Sequence, residues 1–368
     1  MRQLPIGLDV GTTAVRMLQL GGSERDLRAV EAAKFVVPAD VQGDAKRRRQ
    51  FVIEGIRRSM KEGRFRGRAA VMALAPEELA VRNIRMPKMP DEELAAAVNW
   101  EAQNKFPFDT ATAVIQHTRA GEVHQGDQTL DEIILFAVPR AEVAGRIETA
   151  TEAGLDLVSL DAQPAAMFRA FERYLGRRED EGVVGAYADI GAHTTLVISR
   201  GRDLVFVKTI PIGGAVFSRA VAECLDLAPA EAEALRRRAG RQPRGEPPAA
   251  DASDGVSRAV ADALRPHLED LANAIGLCLR YYAVTFRGPR PEAITFVGGE
   301  AHDPTVPAAL ASRLGLEARI GDPLRGVRTD HLGHALDRRG IRAEWATAFG
   351  LSVKGFHLEA QFTTGFAA

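Results

Sequence analysis

The sequence predicts an α/β protein of two similarly built lobes, with an extra subdomain inserted in the first. Three observations predict it. Asp9-Val10-Gly11-Thr12-Thr13 and Asp189-Ile190-Gly191-Ala192-His193-Thr194-Thr195 read alike: strand, acidic residue, glycine turn, hydroxyl residues, then strand again. Each opens a three-strand meander, so one layout occurs twice. Between them, residues from about 83 to 159 carry strands and helices of their own. The glycines let the backbone turn where a side chain would clash, so amides and hydroxyls can face an anion. An aspartate there would repel phosphate directly and makes sense beside a Mg²⁺ that keeps its waters. Two such loops suggest a duplicated domain closing on one nucleotide; two unrelated hairpin turns are the plain alternative.

The 368 residues exceed a single core of ordinary size, so at least two lobes are expected. A hydrophobic content of 46% with 26% charged residues is ordinary for a globular protein. The net charge of −1 gives no push toward nucleic acid. Cys224 and Cys278 have apolar neighbours and no metal-ligand spacing, so both are expected to be buried free thiols in a reducing compartment. The start runs straight into the first strand, leaving no room for a signal peptide. No uncharged apolar run reaches bilayer length. A cytoplasmic protein is expected.

Ile6–Val10 and Val15–Leu20 read as a hairpin, Gly21–Ser23 as a turn, and Leu27–Val37 as a third strand ended by Pro38. Lys46–Glu62 has Val52, Ile53, Ile56 and Met60 on one helical face. Its other face is basic: Lys46, Arg47, Arg48, Arg49, Arg57, Arg58 and Lys61, followed by Arg64, Arg66 and Arg68. That run is a solvated face or a contact for anionic lipid or an acidic partner. Ala69–Leu74 is a buried strand. In the insertion, Asn83–Met86 is a short strand. Asp91 caps a helix through Phe106 with Leu94, Val98, Ala102 and Phe106 at i, i+4 spacing. Strands at Val114–Ala120 and Glu132–Val138 follow, joined by a polar stretch, then a helix Ala141–Ala153 stopped by Gly154.

Leu155–Leu160 returns to the first lobe, and Asp161–Ala166 leads a helix through Tyr174. Val183–Asp189, Thr194–Arg200 and Asp203–Pro211 form the second meander. Ile212-Gly213-Gly214 opens a helix to Leu225, and Pro229–Arg238 is another. Gly240–Gly255 reads as a surface loop, and Val256–Phe286 as a helix kinked at Pro266. Ala293–Val297 runs into Gly298-Gly299, a pair that permits close backbone approach by a ligand. Helices at Val306–Leu314 and Glu344–Val353 complete the pattern. The expected division is 1–183 for the first lobe, 184–330 for the second, 331–354 returning to the first, and a tail at 355–368.

These parts, in this order, resemble the actin-like ATPase superfamily. Asp9–Thr13 resembles its first phosphate loop, Asp189–Thr195 its second, and Phe296-Val297-Gly298-Gly299 its adenosine turn. Asp161–Ala166 and Trp345–Leu351 resemble the two inter-lobe connecting helices. Within the superfamily the chain is most similar to the PilM family of type IV pilus assembly. The stretches that carry this are Met86–Leu94, Trp100-Glu101-Ala102-Gln103, Phe106-Pro107-Phe108, Ile210–Gly214 and Asp322-Pro323-Leu324. The FtsA division proteins share the insertion but normally end in an amphipathic membrane helix. The tail Gly355–Ala368 has no lysine or arginine and little helix propensity. Arg16 stands where lysine is usual, and Glu300-Ala301 where small residues are common. The first change keeps the charge; Glu300 is expected to weaken nucleotide binding.

The resemblance implies an actin-like fold that binds ATP with Mg²⁺ between the lobes. Asp9 and Asp189 would hold Mg²⁺ through water. Gly11, Thr12, Thr13, Arg16, Gly191, His193, Thr194, Thr195, Gly213 and Gly214 would line the phosphate site. Gly298 and Gly299 would admit adenosine. Glu233 and Arg236 would contact sugar and base, although a solvated helix face explains Glu233 as well. Gln163 would position the attacking water; an amide has no useful basicity, so at most slow hydrolysis is implied. His193, His331 and His334 lack a third partner and are not expected to bind metal. The implied partner is the N-terminal cytoplasmic peptide of a single-span inner-membrane protein, PilN-like. It would be gripped in a groove involving the insertion, whose helix 92–106 carries more apolar surface than a lone helix needs. Peripheral membrane contact would come only through that partner or the basic run, self-association is allowed, and no nucleic acid is implied. Three function classes follow: a nucleotide-binding scaffold at the membrane's inner face, an FtsA-like filament-forming protein, and a small-molecule kinase. No distinct catalytic base for the last stands out in the sequence.

Overall fold

A computed structural model describes residues 2–239, 253–329, 332 and 340–358. Residues 240–252 of the expected loop, His331, His334 and the tail beyond 358 lie outside the described residues.

Apolar alternation lets three neighbouring segments pair as a meander: β1 (Gln3–Val10), β2 (Ala14–Ser23) and β3 (Asp26–Val36). β2 runs through Gly21-Gly22-Ser23, so the expected turn is strand and the chain reverses at Glu24-Arg25. A short helix α1 (Ala39–Gln42) precedes α2 (Ala45–Glu62), which Asp44 caps by accepting from the amides of Lys46 and Arg47. β4 (Ala69–Leu74) then enters beside β1 in parallel.

The inserted chain follows: β5 (Ala80–Pro87), α3 (Asp91–Glu101), β6 (Ala113–Gln125) and β7 (Gln128–Pro139). β6 and β7 are one long hairpin turning at Gly126-Asp127, so the polar stretch expected to be loop is mostly paired strand. Its polar side chains cost nothing on an exposed sheet margin. α3 ends at Glu101 and gives way to a 3-10 turn. Asp91 makes no cap; its carboxylate pairs with Arg119 at 2.5 Å. Leu94, Val98 and Ala102 are buried against Ile84, Met86, Ile133 and Leu135. The apolar stripe therefore closes the subdomain's own core, and what α3 leaves outside is Trp100, 71% exposed.

α4 (Arg140–Glu152) and β8 (Asp156–Ala162) serve the first lobe rather than the insertion. β8 is the fifth strand of the first sheet, ordered β3-β2-β1-β4-β8. Ala150 and Ala153 join the core made by Ile6, Leu8, Val52, Ile53 and Ile56. The sequence sets the insertion at about 83–159, whereas its sheet spans 80–139. The physical reason is that two parallel strands need a crossover, and α4 supplies it for β4 and β8.

α5 (Gln163–Glu172) crosses to the second lobe, where β9 (Val184–Ile190), β10 (Thr194–Arg200) and β11 (Asp203–Ile210) form the second meander. α6 (Gly214–Leu225), α7 (Pro229–Ala239) and α8 (Ser253–Phe286) lead to β12 (Ala293–Val297). α9 (Thr305–Leu314) is the crossover to β13 (Glu317–Ile320). The second sheet, β11-β10-β9-β12-β13, repeats the first strand for strand. α10 (Ala346–Val353) returns across β1 and packs on α5. A methyl group at Gly350 would overlap the Ala166 carbonyl, so glycine there sets how closely the two connecting helices meet.

Part of the basic face of α2, with Arg68 after it, is engaged within the protein. Arg49 pairs with Glu152 at 2.7 Å, Arg57 donates to the Glu152 carbonyl and Arg68 to the Gly154 carbonyl, all at the carboxyl end of α4. Arg48 donates to the Gly11 carbonyl at 2.9 Å. Cys278 is buried, but Cys224 is exposed, contrary to expectation. Among the described residues no helix is long and apolar enough to cross a membrane.

Candidate functional site

The site lies where the two meanders face each other. β1 and β9 each carry an aspartate one residue before their last, Asp9 and Asp189, and the hairpin turn that follows each lines the space between the lobes. That space is a cleft of about 700 Å³. It is lined by Asp9, Gly11, Thr12, Thr13, Arg16, Gln163, Asp189, Gly191, His193, Thr195, Gly214, Glu233, Arg236, Gly298 and Gly299. Of the residues singled out in the sequence, Thr194 and Gly213 are set back from it. The Thr194 hydroxyl donates to the Ile212 carbonyl at 2.6 Å. Gly213 sits so close to the second turn that a Cβ would come within 2.8 Å of the Gly191 and Ala192 carbonyls.

The first turn is closed by the Gly11 amide donating to Ala14 at 3.1 Å, and held from behind by Arg48. The second is closed by the Gly191 amide donating to His193 at 2.9 Å. The first amides of α6, at Gly214 and Ala215, donate to the Gly191 and Ala192 carbonyls at 2.8 and 3.3 Å. The start of α6 therefore buttresses the second turn.

The antiparallel register sets Arg16 opposite Asp9 and Lys34 opposite Arg16. Arg16 reaches Asp9 at 3.4 Å and Glu344 at 2.9 Å, and Lys34 reaches Glu344 at 2.6 Å. His302, from the turn after Gly299, lies 3.6 Å from the same carboxylate. Glu344 thus holds the cations Arg16 and Lys34 of the first lobe and lies beside His302 of the second. Burial opposes its charge, but the charges of Arg16, Lys34 and His302 prevail and hold it down to about 2.

The two aspartates have the opposite problem. Burial raises Asp9, with Arg16 opposing. Burial and then the charge of Asp9 push Asp189 up to about 7, against the pull of Arg16 and Gln163. Gln163 opens α5, and its amide donates to Asp189 and to Thr347, the latter at 3.3 Å. Its Oε1 is buried and unpartnered, although Gln163 lines the cleft. An orphaned acceptor beside two destabilised carboxylates fits a hydrated cation, which would supply both the charge and a water O–H.

Gly298 has a φ of 86°, and a methyl group there would overlap the Asp189 carboxylate. Its freedom is needed for the aspartate as well as for any ligand. Gly299 leaves open space, with Arg16 the nearest side chain at 4.0 Å. Arg236 forms a buried bidentate pair with Glu300 and donates to Ser218 at 3.3 Å. The departure at Glu300 is thus matched by a cation. Glu233 pairs with Arg237 at 2.8 Å along α7.

Sequence reasoning missed Glu344, Lys34, Thr347, Arg48 and Glu77. Glu77 meets His193 across the cleft, its Oε1 2.5 Å from Nδ1. Lys34 and Glu344 are 310 positions apart, and no local pattern marks such a pair.

The chain matches the family model described as type IV pilus assembly protein PilM over residues 7–356. Its structure is similar to that of a PilM-PilN type IV pilus biogenesis complex, with a TM-score of 0.78 and 26% identity. The match covers 95% of this chain and 98% of that one. It is also similar to the ethanolamine utilization protein EutJ from Carboxydothermus hydrogenoformans, with a TM-score of 0.54 and 16% identity, over 96% of this chain and 90% of that one. The fold is that of the actin-like ATPases. No curated protein sequence matches the chain.

Proposed function

This chain belongs to the PilM family of type IV pilus assembly proteins, and we propose that it acts there as a nucleotide-binding scaffold at the inner face of the membrane. The observation that carries this is the pair of aspartates at the cleft floor, of which Asp189 is pushed up to about 7. Such a site is held ready for a divalent cation and a polyphosphate. Asp9 and Asp189 would hold Mg²⁺ through its waters, and the amides and hydroxyls of Gly11–Thr13, Gly191 and Thr195 would face the phosphates of ATP. Mg²⁺ bound there would supply the positive charge that offsets the two carboxylates and the phosphates. Gln163, through its unpartnered Oε1, accepts from one of the waters. Turnover, if measurable, stays below about 1 s⁻¹, under the range of ordinary enzymes. Calorimetry tests this reading: ATP binds the wild type, and Asp9→Ala or Asp189→Ala weakens binding far more with Mg²⁺ than without. A wild type that binds no adenine nucleotide defeats it.

The second half of the role is docking. The similar complex is of PilM with PilN, and a PilN-like cytoplasmic peptide is the partner proposed here. A groove of about 640 Å³ opens on the inserted subdomain beside Asn99, Gln103, Val114, Ile115 and Arg140. β6 is an edge strand of the three-stranded sheet, so an extended peptide can add to it and gain main-chain hydrogen bonds. Trp100, exposed on the same helix as Asn99, is the aromatic anchor proposed for that peptide. The protein is then cytoplasmic and reaches the inner membrane through that partner. Removing 83–159 would take part of β8 with it and disrupt the first sheet. Substitution within the groove, with capture of a partner peptide as the readout, is the cleaner test.

A further inference from the structure

We propose that His193 and Glu77 form a general-base pair, which takes the proton from a water attacking the terminal phosphate of a nucleoside triphosphate in the cleft. The inference rests on the nucleotide-binding reading above. His193 belongs to the second phosphate turn, in the second lobe, and Glu77 to the segment after β4, in the first. They are 116 positions apart, yet Nδ1 and Oε1 meet at 2.5 Å. Both line the same cleft as Asp9 and Asp189. Their side chains are 33% and 42% exposed, so water reaches them.

A carboxylate against Nδ1 keeps the proton on that nitrogen and leaves Nε2 with its lone pair. Imidazole with a free Nε2 lone pair is a common general base. The neighbouring Glu78 is committed elsewhere: it accepts from Arg146 at 2.5 Å and from the Ala75 amide at 2.9 Å. Those bonds fix the turn that presents Glu77. Gln163 orients the water but has no basicity to take its proton. In the step, the water oxygen bonds to the γ-phosphorus and its proton passes to Nε2. The bond from phosphorus to the bridging oxygen breaks, and its electron pair leaves with the nucleoside diphosphate. The imidazolium then loses its proton to solvent. Because the two members come from different lobes, Glu77 orients the imidazole only while the lobes meet.

The test uses the full chain loaded with ATP and Mg²⁺, following cleavage of the bound nucleotide in a single turnover. His193→Asn keeps a donor for Glu77 but has no base, and it is expected to slow cleavage by about 100-fold or more. Glu77→Gln is expected to slow it by about 10-fold. Independently of activity, nitrogen NMR of histidine-labelled, nucleotide-free protein should show one imidazole, missing in His193→Asn, protonated at Nδ1. That resonance should move toward the Nε2-protonated form in Glu77→Gln. Unchanged cleavage in both variants, bound ATP that is never cleaved by the wild type, or an Nε2-protonated His193 in the wild type overturns the proposal. Cleavage-insensitive variants that alter only nucleotide entry and release would make the pair a plain clasp, which overturns it too. Absence of ATP binding in calorimetry overturns the nucleotide reading with it.

Discussion

Asp189 carries the conflict between stability and ligand binding at a single position. Its raised pKa means that the nucleotide-free fold is penalised as pH climbs from about 4 through 7, because ionisation there is opposed by burial and by Asp9. Asp189→Asn should therefore stabilise the nucleotide-free protein by about 2 kcal/mol at pH 8 and by little at pH 4, while weakening Mg-ATP binding. Urea unfolding at the two pH values checks the first half and calorimetry the second. Glu344 has the reverse sign. Its folded pKa lies near 2, below its unfolded value, so its contribution is present above about pH 4.5 and fades as pH falls toward 2. Glu344→Gln should cost on the order of 3 kcal/mol at pH 7, since Arg16 and Lys34 lose a buried partner. The unfolding midpoints of variant and wild type should converge near pH 2.

Two elements have roles that their own sequences understate. α10 is buried on all sides, and its position is set by Gly350 against the Ala166 carbonyl of α5. Gly350→Val should lower stability by about 3 kcal/mol by forcing the connecting helices apart, seen as a lower thermal midpoint with a weakened nucleotide response. α3 reads as amphipathic, and its stripe is spent on the subdomain core, so its outward contribution is Trp100. Trp100→Ala should leave stability within about 0.5 kcal/mol of wild type and abolish capture of the partner peptide. Retained capture would move the docking site off the groove. α2 shows a charge pattern with two readings in sequence. In the structure, its arginines secure α4 and the first phosphate turn, which leaves less of the run for a membrane surface.

At the scale of the molecule, the Glu344 cluster, the Glu77–His193 contact and the crossing of α5 with α10 all join one lobe to the other. A ligand bound between the lobes stabilises the folded chain and not the unfolded one. Mg-ATP at about 100 times its Kd should raise stability by about 2.7 kcal/mol, a shift of several degrees in the thermal midpoint. The same addition should do nothing to Asp9→Ala. Scanning calorimetry with and without nucleotide reads this directly, and a midpoint that ignores nucleotide in the wild type would count against a ligand between the lobes.

The doubled phosphate-type turn, the two meanders and an insertion in the first lobe were legible in the sequence because each is local: alternation makes a strand, and Asp-x-Gly with hydroxyls makes a turn. The glycine pair at 298–299 was legible for the same reason. Family stretches such as Met86–Leu94 and Trp100–Gln103 took the reading to PilM. The crossover role of α4, the engagement of the basic face, the buried Arg236–Glu300 pair and the Glu344 hub were decided only by the tertiary structure. Each joins residues far apart in the chain, and whether a charge is solvated, paired or unpaired depends on what packs beside it. Asp9 and Asp189 differ little as letters from any aspartate in a turn. Burial beside one another, with Arg16 shared by Glu344, is what sets them apart.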